Sequence, residues 1–448
     1  MSTSSMPNEH TILFEESSLE SPQRIGRRRN RLWRSVSKNV KKQMKYTFKD
    51  YDAYSIQTCI SPYEIDDELE SLAPVAYTTK TCEQDSSLLP TLAVSIWLGT
   101  RGFIALFFIG SLLFLSMLHK VLVIVLLTLI MLFPRHRERN LGTMEAKAFV
   151  LELALGSLFL VSLYLKAFTM AIMVLSLILP RDFPRGLGNK IGDWIMHKCE
   201  QYFALKTTLE DEDALAQLTS EDDPKGVVVA IEPHDIMPYG AFAFYPGLKR
   251  IPGRVGKHGF TLISSLIFNI PLMRNVFSWV CCGSVDKQSF RKHLRDGKTV
   301  IIIPGGIQEV TMMDPQESQD LVVLLKKRKG FVKLALETGS PIVPAFCFHL
   351  DGSFAYYIPR GDFISKLARR IGFLPVIYMG RFWIPFGIPR PQQIHVVIGK
   401  PIYLPTLGRN VRQEDVDKYH EIYVQQLKEL YNRHNHANGY GERALTIM

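Results

Sequence analysis

The sequence lacks most of the signatures that identify a common enzyme class at once. It has no G-x-G-x-x-G, no P-loop and no G-x-S-x-G, which argues against dinucleotide-dependent dehydrogenases, P-loop kinases and serine hydrolases. It has no C-x-x-C pair. Its six cysteines, Cys59, Cys82, Cys199, Cys281, Cys282 and Cys347, form no close Cys/His cluster, so no metal is expected. Scattered thiols in a chain of 448 residues read as reduced, which points to a cytosol-facing domain. Residues 1–20 are polar and acidic without an apolar core, so no secretory signal is visible.

What is present leans apolar and basic. The chain is 47% apolar and 21% charged, with a mean hydropathy of +0.05 and a formal net charge of +10. Ten Lys/Arg and no acidic residue lie between Arg24 and Lys45. Without a nucleic-acid-binding fold around it, that run reads as a flank beside anionic lipid or as a solvated tail, and no nucleic-acid partner is expected. Residues 91–133 are nearly all apolar, interrupted by Arg101 and His119–Lys120. One helix of that length would measure about 65 Å, about twice a bilayer core, so a membrane hairpin turning at His119–Lys120 is expected. A second apolar stretch, 149–180, is broken by Glu152, Gly156 and Lys166. It reads as further membrane contact or as a core helix. Basic flanks before residue 91, after 133 and after 180 all belong on the cytosolic side under the positive-inside rule. The expected organisation is a disordered basic region over 1–90, a hairpin over 91–134, an additional hydrophobic segment over 135–185 and a catalytic domain over 186–448.

Within 186–448, helical and strand signals alternate. Residues 186–206 read as helix and 210–223, with seven Asp/Glu, as a polar linker. Val227–Ile231, Thr299–Ile303, Pro341–Phe348 and Ile394–Ile398 read as strands. Lys287–Arg295, Asp320–Leu336 and Val411–Tyr431 read as helices, with Gly339 closing the second. The strands are apolar throughout, as when both sheet faces are covered, so an α/β domain with a mixed sheet flanked by helices is predicted.

Reactive groups in such folds gather beyond the C-terminal strand ends. Two turns qualify: Glu232-Pro233-His234-Asp235, and Pro304-Gly305-Gly306-Ile307-Gln308-Glu309. His234 is the candidate base, since an imidazole takes and returns a proton near neutral pH. Asp235 or Glu232 would orient its ring or stabilise its charge. Gly305 and Gly306 let a ligand approach closely and offer N–H groups to an oxyanion. Glu309 either bonds the catalytic ring or caps the next helix. Lys257 and Arg274, with His258, and the group around Arg328 and Lys329, either meet phosphates or form solvated faces.

These blocks resemble the acyl-CoA:diacylglycerol acyltransferase type 2 family, which also includes monoacylglycerol and wax-alcohol acyltransferases. EPHD at 232–235 is similar to that family's His-Pro-His-Gly block, which begins with Glu in plant-like members, so a plant- or alga-like member is expected. PGGIQE at 304–309, RKGFVKLALETGSPIVPAFCF at 328–348, IHVVIGKPI at 394–402 and the late helix ending near HNHANGY match further blocks. The resemblance implies a membrane-anchored enzyme of the endoplasmic reticulum, with the lipid-droplet surface as a second location. It implies acyl transfer from acyl-CoA to diacylglycerol, with monoacylglycerol or a fatty alcohol as alternative acceptors. Acyl-CoA is a co-substrate and no cofactor is required. Membrane lipids are implied partners, and a homo-oligomer is left open. His234 corresponds to the second motif histidine, and Gly305, Gly306 and Glu309 to the Gly-Gly-x-x-Glu block. Two positions depart from the pattern: Glu232 replaces the first histidine of animal and fungal members, and Asp235 replaces a Gly or Ser. A covalent route through Cys281 or Cys282, and a lipid-binding protein without catalysis, are the rival readings.

Overall fold

The structure is a computed structural model that describes residues 77–99, 125, 164, 167–218, 225–306, 309, 321–357 and 376–448. The basic run 24–45, most of the expected hairpin, residues 135–163, and Ile307 and Gln308 lie outside the described residues.

In chain order, the strands are β1 (Thr78–Lys80), β2 (Lys206–Leu209), β3 (Val227–Glu232), β4 (Gly259–Ile263), β5 (Cys282–Ser284), β6 (Thr299–Ile302), β7 (Leu321–Val323), β8 (Ile342–Phe348), β9 (Ala355–Tyr357), β10 (Ile377–Met379), β11 (His395–Ile398) and β12 (Leu445–Ile447). The helices are α1 (Leu88–Trp97), α2 (Arg185–Tyr202), α3 (Glu212–Gln217), α4 (Gly253–Lys257), α5 (Met273–Trp279), α6 (Lys287–Arg295), α7 (Gly330–Thr338) and α8 (Gln413–His434). Eight strands form one mixed sheet in the order β1-β2-β11-β8-β3-β6-β4-β5. The β1/β2 and β11/β8 pairs are antiparallel, and the other pairs are parallel.

The strand β3 shows why the sheet is buried on both sides. Val227, Val229 and Ile231 enter one core with residues of α1, α2 and α5. Val228 and Ala230 enter the other with residues of α6, α7 and α8. Each Val or Ile so buried contributes roughly 1.5–3 kcal/mol, which holds the central strand in register. Local rules set the flanking helices. Asp286 caps α6 by accepting from Ser289 N–H at 2.9 Å, and Gly339 ends α7 with a φ of +68° that favours glycine.

The structure corrects several expectations. Among the described residues, no helix is long and apolar enough to cross a membrane. The described start of the expected hairpin is α1, whose Pro90, Ala93, Val94 and Trp97 are buried. One face of it is covered by the protein core while Leu88, Leu89 and Leu92 stay exposed, so apolarity in this run is answered in part by protein. Residues 167–178 form a helical run that ends before Pro180. The membrane-anchored fold, and the endoplasmic-reticulum and lipid-droplet placement drawn from it, are corrected on this finding. The predicted helix over Asp320–Leu336 is instead β7, a turn, and α7, because Leu321–Val323 pair in parallel with Leu445–Ile447. The acidic stretch 210–223 is not simply a linker. Asp211 caps the short helix α3, and Glu210 is buried.

Candidate active site

Three turns emerge at the C-terminal ends of the neighbouring parallel strands β3, β6 and β8. After β3 comes the EPHD turn, with a cis Glu232–Pro233 bond. After β6 comes Pro304-Gly305-Gly306. After β8 come His349 and Asp351.

In the EPHD turn, Glu232, Pro233 and Asp235 are buried and His234 alone is half-buried. The His234 ring donates Nδ1–H to the Asp235 backbone carbonyl at 2.7 Å. In the neutral ring that bond fixes the proton on Nδ1 and makes Nε2 the basic nitrogen. Asp235 has a φ of +47°, in the left-handed region that favours glycine and tolerates Asp or Asn. The backbone conformation therefore explains both a Gly and an Asp at this position.

The His234 backbone N–H donates to Glu309 Oε2 at 2.7 Å, and Leu324 N–H donates to Glu309 Oε1 at 2.9 Å. Gly305 N–H donates to Glu232 Oε1 at 3.0 Å. Neither carboxyl has any exposed surface. A Cβ on Gly305 would lie 1.5 Å from Glu309 Oε1, so the carboxyl occupies the space a side chain would need. Gly306 instead has open space beyond it and a φ of +66° that requires glycine. Glu309 thus bonds the backbone of His234.

The electrostatics of these turns are those of buried acids with few cations. Burial, and then the Glu309 charge, push the Glu232 carboxyl well above the usual range. Burial also raises Glu309, against the two N–H bonds that favour its charged form. Asp235 is pushed up to about 8 by burial and then by the charge of Asp351. Asp351 itself stays low despite burial, because Arg443 donates to it at 2.6 Å and Tyr440 at 2.7 Å.

The basic candidates separate. Arg328 lies close enough to lower both Glu232 and Glu309. Lys329 is tied to Asp417 of α8 at 2.7 Å. Arg274 donates to the Leu177 carbonyl at 2.6 Å, anchoring the run 167–178. Lys257 ends α4, just before β4 begins level with the start of β6. It therefore lies at the opposite end of the strands from His234, about 17 Å of strand away. The cysteines of the rival route are three strands from β3. Burial raises the Cys281 thiol to about 11 and Cys282 higher still, so neither is a ready thiolate.

The sequence reading missed Asp351, Tyr440 and Arg443. Only the HNHANGY ending signalled them, since Tyr440 lies in it. It also missed Leu324, which donates through its backbone and carries no side-chain signal.

Residues 159–447 match the family described as diacylglycerol acyltransferase, which covers well over half of the chain. The chain belongs to the diacylglycerol acyltransferase family. It is 32% identical to diacylglycerol O-acyltransferase 2 of Dictyostelium discoideum over 49% of this chain and 69% of that one. It is 35% identical to diacylglycerol O-acyltransferase 1 of Eremothecium gossypii over 40% and 41%, and 31% identical to diacylglycerol O-acyltransferase 2-like protein 6 of Bos taurus over 49% and 70%. These relatives come from an amoeba, a fungus and an animal, and none marks this acyltransferase as plant- or alga-like. The crystal structure of a 1-acyl-sn-glycerophosphate acyltransferase from Thermotoga maritima superposes with a TM-score of 0.30 at 15% identity, covering 59% of this chain and 89% of that one. That likeness is too low to carry an argument.

Proposed function

We propose that this acyltransferase moves an acyl group from acyl-CoA to the free hydroxyl of diacylglycerol, forming triacylglycerol and CoA. The observation that carries the reading is the half-buried His234, held with its Nδ1–H on the Asp235 carbonyl. Nε2 takes the hydroxyl proton as the acceptor oxygen attacks the thioester carbonyl. The new C–O bond forms, the C–S bond breaks, and the proton passes from the imidazolium to the departing thiolate. A thiol is acidic enough to leave with little further help. Gly305 N–H is engaged by Glu232, so the oxyanion donor in this turn is assigned to the next amide, that of Gly306. Arg328 is the basic group best situated to meet a CoA phosphate among those considered. Lys257 is unsuited, being at the far end of the strands.

The test is acyl transfer by the full chain in mixed micelles, with labelled acyl-CoA and diacylglycerol, monoacylglycerol or a fatty alcohol supplied in parallel. His234→Ala is expected to lower kcat by about 10²–10⁴-fold for the preferred acceptor. Retained turnover in that variant sinks the assignment of the base. Wax ester or diacylglycerol as the main product keeps the chemistry and changes the acceptor.

A further inference from the structure

Glu232 and Glu309 make a reciprocal exchange. Glu232, on the turn after β3, accepts from Gly305 on the turn after β6. Glu309, beyond the second turn, accepts from His234 on the first. Each acid therefore reaches across to hold the backbone of the other turn. The four oxygens are unequally supplied with donors. Both oxygens of Glu309 accept backbone N–H groups. On Glu232, Oε2 is buried and meets no donor among the described residues, while the carboxyl that raises it is that of Glu309. A buried acceptor set against another acceptor is costly unless a proton lies between them.

We propose that Glu232 and Glu309 share one proton and act as a single crossed brace, with Glu232 as the acid and Glu309 as the carboxylate, positioning the His234 turn against the Gly305 turn. Both are positioning residues, acting on His234 through its backbone. The other titratable groups facing the pair are Arg328, from the turn before α7, Tyr423 of α8, and His234 and Asp235. Arg328 is the one permanent cation in that set. It favours the charged form of both acids, yet burial outweighs it at Glu232. The effect of the brace on turnover rests on the proposed role of His234; its effect on folding does not.

Two amide substitutions separate the roles. Glu232→Gln keeps an oxygen for Gly305 N–H and supplies an N–H toward Glu309, as the acid does. Glu309→Gln leaves one oxygen for two backbone N–H groups. The purified full chain would be melted between pH 5 and pH 9 as wild type, Glu232→Gln, Glu309→Gln and His234→Ala. A carboxyl whose folded pKa is raised gives full stability below its unfolded value, and that stability is lost as pH rises toward the folded value. Wild type should therefore fall in Tm as pH rises, and the Glu232→Gln variant should fall less, so that its Tm gains on wild type by several degrees toward pH 9. Glu309→Gln should melt below wild type throughout. In turnover, kcat should drop tenfold or more in Glu309→Gln and by less in Glu232→Gln, with KM for acyl-CoA little changed in either. Failure of Glu309→Gln alone to fold is the same asymmetry in extreme form. The proposal is overturned if Glu232→Gln does not fold, melts as low as Glu309→Gln, or keeps a constant offset from wild type at every pH. Should His234→Ala turn over normally while the melting asymmetry stands, the base assignment fails and the brace survives.

Discussion

Among the described residues, two places bury a glutamate, and they treat it oppositely. Glu210, at the end of β2, is almost fully buried, yet its carboxyl is held below the usual range. Arg433 clasps it with two bonds of 2.8 Å, and His434 Nε2 lies at 3.0 Å. Glu232 is fully buried, and its bonding partner is a backbone amide. Its carboxyl is pushed up, not down. Burial penalises the charge of both, and more at Glu232, which has no exposed surface. The partners also differ: the His434 ring and the Arg433 guanidinium at Glu210, another carboxyl at Glu232. The first arrangement fixes structure, tying α8 to the sheet. The second keeps protons at near-neutral pH beside a half-buried histidine, the pattern expected where acids and bases are tuned for chemistry.

The comparison breaks most sharply at Glu210. Glu210→Gln should destabilise the fold by about 3 kcal/mol at pH 7, because Arg433 loses its counter-charge; the exposed part of Arg433 moderates the loss. The sign with pH is opposite to that at Glu232 and Asp235. A carboxyl with a lowered folded pKa contributes stability above its unfolded value, and that stability is lost as pH falls through the folded value. The gap between wild type and variant in denaturant unfolding should therefore close below about pH 4. A gap that persists there means the pair is not electrostatic. Next in size is Gly305→Ala. The added methyl must displace Glu309, whose Oε1 lies 1.5 Å from where the Cβ would sit. Overpacking of this kind costs about 1–3 kcal/mol, and kcat should fall further than stability alone explains. Gly306→Ala is the control in melting assays for the overpacking at Gly305. It meets no atom, and its cost of about 1 kcal/mol comes only from the φ of +66°.

The α/β core and the turns after β3 and β6 were legible because they obey local rules. Val227–Ile231 and Thr299–Ile303 are short β-branched runs ended by turn chemistry, and both form strands within one residue of the predicted limits. Helix α6 was placed at its observed bounds by its pattern and the Asp296–Gly297 stop. What was not legible depends on partners far away in the chain. Leu321–Val323 looks helical until Leu445–Ile447 pairs with it, and that distant ladder in turn sets Leu324 N–H against Glu309. The bond from His234 N–H to Glu309 was not legible for the same reason: the donor is a backbone N–H 75 residues earlier, and a backbone N–H has no residue-type signature. Membrane spans were overestimated because apolarity alone does not say whether lipid or protein covers a run. In α1 it is Ala93, Val94 and Trp97 that show protein to be the cover on one face.

The mildest test of the contrast is Asp235→Asn. Asp235 is buried, its carboxyl is raised to about 8, and its conformation suits Asn as well as Asp. The raised value means that the fold favours the neutral acid. Stability from this group is complete below the unfolded value near 4 and declines as pH rises toward about 8. Asn cannot ionise, so the variant should escape that decline. At pH 7 it should be more stable than wild type, with the gain vanishing near pH 4. Asn, unlike Gly, also retains a side chain against Asp351, and so the test isolates charge from packing. A variant that is less stable at pH 7, or whose gain does not shrink on acidification, would show that Asp235 is folded as the carboxylate. The EPHD turn would then resemble the Glu210 site, with Arg443 answering for two negative charges instead of one.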